Sequence, residues 1–232
     1  MKRSLFVMTA FFLVIFCSLA VYHPNHVGAE QQKEDNISFR WAFGAVVGPE
    51  NDRKLIAITR DTELTTGDKF KMFVELKKKC FVYLIYQDSL GEIQLLFPKN
   101  FLQFTDDYQL SKKYYIPGGD LWFALDEKTG HEAFHLLASS QRLAILENLI
   151  ADYESSASIN KSEIAKKIVA EIQEIKRKHK TLHATAERPV QIAGSLRGTV
   201  KTLNQTFPDL DIVATEISTP NFYGRTFTID HK

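Results

Sequence analysis

The chain has 232 residues, 29 of them basic and 28 acidic, for a formal net charge of +1. So near-neutral a chain has no overall field to draw it to nucleic acid or to an anionic membrane. A length of about two hundred residues is enough to bury a sizeable core, as one domain or one and a half.

Met1, Lys2 and Arg3 form a short basic start, and an uncharged apolar run follows from Leu5 to Val21. Pro24 and the small residues of Val27-Gly28-Ala29 complete a secretory signal layout with cleavage expected after Ala29. The competing reading is an uncleaved inner-membrane anchor, because the apolar run approaches bilayer length. Lipidation at Cys17 is disfavoured by the bulky Phe16 before it. Cleavage would remove two basic residues and no acidic ones, leaving 27 against 28 and a charge of about −1. It would also leave Cys80 without an intrachain partner. Cys80 opens the apolar run Cys80-Phe81-Val82-Tyr83-Leu84-Ile85-Tyr86, where a small buried thiol fits and a catalytic one lacks a base.

Beyond a polar stretch from Glu30 to Asn36, Phe39, Trp41, Phe43 and Ala45 alternate with Arg40, Ala42 and Gly44, the period of a strand. Lys54 to Arg60 predicts a second strand, and Thr65-Thr66-Gly67-Asp68 a turn. A third strand follows from Phe70, Met72, Val74 and Leu76 alternating with Lys71, Phe73 and Glu75. Cys80 to Gln87 and Glu92 to Phe97 form a hairpin across Asp88-Ser89-Leu90-Gly91. Pro98 ends it, and Lys99 to Lys113 reads as loop. Short strands are expected at Tyr114 to Ile116 and Leu121 to Leu125, on either side of Pro117-Gly118-Gly119. Helical spacing appears at Leu143, Leu146, Leu149 and Ile150. A longer helix is predicted from Asn160, with Glu163 completing a capping box and Ile164, Ile168, Ile172 and Ile175 forming its apolar stripe. Leu210 to Ile217 and Phe222 to Ile229 return to strand patterns.

His131-Glu132-Ala133-Phe134-His135 spells the zinc-protease motif H-E-x-x-H. On a helix, His131 and His135 would grip one zinc while Glu132 activated water. On a strand, the histidines would stand about 13 Å apart at ~3.3 Å per residue, with Glu132 on the opposite face. Backbone conformation therefore decides between a metallopeptidase and an accidental match. Gly194-Ser195-Leu196-Arg197-Gly198-Thr199 lacks the lysine of a phosphate loop and reads as a turn. Asp106, Asp107, Asp120 and Asp126 lack the spacing of a calcium loop. The basic run Lys176 to Lys180 suits the negative end of a helix dipole.

Thr66-Gly67-Asp68, the Cys80 to Gly91 run, Leu95-Leu96-Phe97-Pro98, Tyr115-Ile116-Pro117, Leu121 to Asp126 and Gly130 to Ser139 together resemble the bacterial family catalogued as domain of unknown function 4384. The likeness spans Leu55 to Asp152. It implies a β-rich extracytoplasmic module with no established catalysis, and a strand leading into a turn from Gly130 to Ser139. The two histidines depart from the family pattern, in which the Glu132 position is the typical one.

These readings give a mainly β, antiparallel, sandwich-like or open-barrel fold with two appended helices, α+β overall. Three segments are expected: a signal at 1–29, a β-rich domain at 30–155, and a helix with strands at 156–232 packed on it. The expected function is that of an exported, non-catalytic binding or assembly module, periplasmic or secreted, without a cofactor. It would recognise an envelope protein, peptide or glycan, without nucleic acid and without stable membrane insertion after cleavage. Tyr83, Tyr86, Tyr115 and Trp122 are the candidate binding aromatics. The zinc peptidase, with His131 and His135 as ligands and Glu132 as base, is the alternative.

Overall fold

The structure is a computed structural model that describes residues 36–49, 51–180, 186–189 and 208–232. The expected signal at 1–29 and the Gly194–Thr199 turn lie outside the described residues.

The described strands are, in chain order, β1 (Asn36–Val47), β2 (Lys54–Ala57), β3 (Thr62–Leu64), β4 (Lys69–Leu76), β5 (Phe81–Gln87) and β6 (Ile93–Phe97). They continue with β7 (Lys113–Ile116), β8 (Phe123–Ala124), β9 (Gly130–Ser139), β10 (Ala186–Pro189), β11 (Thr215–Pro220) and β12 (Phe222–His231). Three helices interrupt them: α1 (Gln103–Asp106), α2 (Ala144–Ser155) and α3 (Ser158–Lys178).

The long strands β1 and β4 pair antiparallel at the centre of the first sheet, Phe39 opposite Leu76 and Ala45 opposite Phe70. Shorter strands share their free edges: β11 and β2 along β1, β7 and β8 along β4, with β10 beyond β11. The second sheet runs β3-β12-β9-β5-β6, antiparallel except for the β3–β12 pair. Alternation turns Ile37, Phe39, Trp41, Phe43 and Ala45 of β1 and Phe70, Met72, Val74 and Leu76 of β4 inward. There they meet Val82, Leu84, Phe134, Leu136, Phe227 and Ile229 of the second sheet. The expected mainly β sandwich with appended helices is the observed architecture.

Both outer faces are covered as well. Tyr83, Ile85, Leu137 and Phe222 point away from the sandwich and pack against Leu146, Ile150, Ile168, Ile172 and Ile175 of α2 and α3. On the other side, a 3₁₀ turn at Leu210–Val213 seats Leu210 against Ala42 and Phe73. Gly44 permits this approach, since a Cβ there would stand 2.7 Å from the Leu210 side chain. Arg40 and Lys113 tie the same segment down through Asp211, at 3.4 and 2.6 Å.

Several local expectations are corrected. The helix predicted from Asn160 begins at Ser158 behind Ala157, with no side-chain cap, and Glu163 pairs with Lys167 at 2.9 Å rather than closing a capping box. Only Ser156 and Ala157 separate the two long helices, so their packing sets where α3 starts. The strand predicted over Leu210 to Ile217 is split, because the Asp209 carboxylate accepts from the Asp211 N–H and starts a 3₁₀ turn. The predicted loop Lys99 to Lys113 contains α1, which presents Phe104 to Phe81 and Tyr83. Apart from these corrections, β11 pairs with β1 and β12 with β9, so strands of the 156–232 segment lie in both sheets.

Candidate functional site

The H-E-x-x-H motif lies on β9, an extended strand. The His131 side chain is 85% exposed and stands 3.5 Å from Asp230, at the open end of the strand. His135 points to the same face but lies buried under α3, with Nδ1 3.0 Å from the Thr226 hydroxyl. Burial, with help from the Lys176 charge, pushes its pKa down to about 4. Glu132 points the opposite way, into the sandwich, so the three motif residues are not assembled into a zinc grip. Among the described residues, no group of three or more His, Cys, Asp or Glu side chains is placed to hold a metal ion.

The four candidate aromatics separate into three places. Tyr83 is fully buried between the second sheet and the helices, where its hydroxyl donates to Glu147 at 2.5 Å and accepts from the Leu143 N–H at 3.0 Å. It has no surface to offer a partner in this fold. Tyr115 is 37% exposed on the outer face of the first sheet, and Trp122 is half-buried nearby. The Lys71 ammonium lies over both rings, 5.2 Å from Tyr115 and 5.9 Å from Trp122, and donates to the Gly119 carbonyl. Tyr86 turns inward.

Tyr86 and Glu132 meet in a pocket of about 160 Å³ that opens at one end of the sandwich. Its walls are Phe70 from β4, Phe123 from β8, Tyr86 from β5 and Phe134 from β9, with Leu96, Leu125 and Gln94 beside them. The rings touch in series, with centroids 5.2 Å apart for Phe70 and Phe123, 5.6 Å for Phe70 and Phe134, and 4.9 Å for Tyr86 and Phe134. Glu132 and Asp126 supply the charge. Burial raises the Glu132 pKa, while the Tyr86 hydroxyl and His231 favour its ionised form. His231, from the end of β12, is buried with Nδ1 3.8 Å from Glu132. Sequence reading missed His231, Phe70, Phe123 and Phe134 as site residues. For His231 the available signal was its place in the inward alternation of Phe227 and Ile229.

A second, wider concavity of about 950 Å³ lies between the end of α3 and β12, lined by Arg60, Lys176, Arg177 and Arg225. Arg177 and Arg225 already hold Glu174 and Glu187, at 2.7 and 2.8 Å, which leaves that groove a weaker charge signal than its composition suggests.

Residues 63–142 match the family described as domain of unknown function (DUF4384). Every residue lining the Tyr86–Glu132 pocket falls inside that span. His231 and the sheet strands β1, β11 and β12 fall outside it, so the DUF4384 segment carries the pocket while its flanks complete both sheets. No curated protein and no solved structure matches the chain.

Proposed function

We propose that this protein is an exported, non-catalytic binding or assembly module of the cell envelope, which captures one protruding side chain of a partner protein or peptide in the Tyr86–Glu132 pocket. The observation that carries the reading is a small, ring-walled opening lined by the partly shielded Glu132 carboxylate and the more exposed Asp126. Whole-metabolite sites commonly occupy ~300–1,000 Å³. At about 160 Å³ this pocket suits a group the size of one side chain. The basic start and apolar run of the first 29 residues support export, and N-terminal sequencing of envelope material should then begin at Glu30.

Selection of displayed peptides against the protein tests the binding reading. Enriched peptides should share one side chain type at one position. They should lose binding to Tyr86→Ala and keep it for Tyr115→Ala on the far face. Peptides that ignore Tyr86→Ala but are lost with Tyr115→Ala would move the site to the outer aromatic patch and overturn the pocket reading. The peptidase alternative lacks support in the strand geometry of His131 and His135.

A further inference from the structure

Resting on that reading of the pocket, we infer that its occupant is cationic: the ammonium or guanidinium end of a lysine or arginine side chain on the partner. Three separate observations converge on this chemistry.

The first is charge. Glu132 and Asp126 line the pocket and no lysine or arginine does. Asp88, in the β5–β6 turn, is close enough to act electrostatically on both Glu132 and Tyr86. An anionic group entering here would be repelled by these carboxylates, with no cationic side chain in the lining to offset them, while a cation would gain from each of them.

The second is the walls. The faces of aromatic rings carry negative electrostatic potential and attract ammonium and guanidinium groups within about 6 Å. Phe70, Tyr86, Phe123 and Phe134 surround the opening, and Leu96 and Leu125 offer apolar surface for an aliphatic stem. A lysine or arginine needs both: a hydrocarbon channel and a charged end point.

The third is room for a further hydrogen-bond donor at Glu132. The Thr66 hydroxyl donates to the Asp126 carbonyl at 3.0 Å, so its oxygen accepts from His231 Nε2, 3.2 Å away. The buried His231 Nδ1 is turned toward the Glu132 carboxylate from 3.8 Å, beyond hydrogen-bond distance, and has no hydrogen-bond partner. The Tyr86 hydroxyl donates to Glu132, and a carboxylate has room for further donors. An N–H donor arriving through the pocket would add a charge-assisted bond, which is of the stronger kind.

The test is a methyl NMR titration of the full chain in mild detergent, following Leu96 and Leu125 in the pocket wall. The probes are n-butylammonium, n-butylguanidinium and the neutral n-butanol. Both cations should shift the Leu96 and Leu125 signals saturably and at lower concentration than butanol. In Glu132→Gln their affinity should fall by about ten-fold or more, with butanol affinity unchanged. Butanol binding as tightly as the cations, with no effect of Glu132→Gln, would overturn the cationic inference and leave the pocket reading in place. Absence of any saturable shift at Leu96 and Leu125 with all three probes would overturn both. Unchanged methyl shifts elsewhere in Glu132→Gln would establish that the variant is folded.

Discussion

His135 is buried on β9 with its Nδ1 against Thr226, which also accepts from Lys176 at 3.0 Å. Burial first and the Lys176 charge second lower its pKa from 6.5 to about 4. The folded-state value is depressed, so the folded protein prefers the neutral ring. The resulting stability is fully present above pH 6.5 and is lost as pH falls toward 4. At ~1.4 kcal/mol per pKa unit the whole window amounts to about 3 kcal/mol, against ~5–15 kcal/mol for a typical domain. Urea unfolding followed by circular dichroism at pH 7.5, 6.0 and 4.5 would measure it, comparing the parent with His135→Gln. Gln can keep a hydrogen bond to Thr226 but does not titrate. Whatever His135→Gln costs at pH 7.5, the gap to the parent should move in the variant's favour by about 2–3 kcal/mol by pH 4.5. Carboxylates titrate in both proteins and cancel. Stability curves that stay parallel across this range would refute the argument, as would an imidazole NMR titration for His135 centred near 6.5.

Tyr83→Phe removes a hydroxyl that donates to buried Glu147 and accepts from the Leu143 N–H, and should cost about 1–3 kcal/mol in urea unfolding because both partners are left short. Gly130 has φ near +148°, and a Cβ there would stand 2.5 Å from the Cβ of Ser89, so Gly130→Ala should destabilise by about 1 kcal/mol or more in the same assay and shift the β5–β6 turn beside the pocket. Cys80 is fully buried and its thiol is pushed up to about 12, chiefly by burial, so a thiol reagent should label the native protein far more slowly than the urea-unfolded chain.

The alternation of β1, β4 and β9 was readable in the sequence because each strand sends a continuous hydrophobic set into one core. The same alternation assigns Glu132 and His135 to opposite faces of β9, since three residues separate them and the side-chain period of a strand is two. The aromatic candidates could not be ranked in that way. Tyr83 and Tyr86 sit three residues apart on β5 and so face opposite sides of the sheet, yet both sides are lined with hydrophobic residues. Only the docking of α2 and α3 over the outer face shows that Tyr83 is sealed while Tyr86 reaches an opening. His231 enters through the β9–β12 register, which sets it opposite Gly130. That is a pairing across about a hundred residues, and no local pattern encodes it.

The inward face of β9 shows why the opening lies where it does. Phe134, Leu136 and Ala138 are fully buried in the sandwich, whereas Glu132, nearer the strand's start, is the one ionisable group in the series. The two-residue β8 gives this corner only short cover, and Glu132 remains within reach of the pocket mouth. A carboxylate there opposes folding at neutral pH. Its pKa is raised in the folded state, so the stability linked to its protonated form is present below the unfolded value near 4.5 and lost as pH rises through the folded value. Tyr86 and His231 each relieve less than burial opposes, and Asp126 and Asp88 add to the cost. Glu132→Gln should therefore raise the melting temperature at pH 7, and the gain should shrink as pH is lowered through 4.5. The same substitution should weaken capture of cationic side chains. More stability with less binding is the signature of a residue kept for recognition. If Glu132→Gln instead lowers the melting temperature at pH 7, then Glu132 acts as a structural partner of His231, and the pocket's charge has no recognition role.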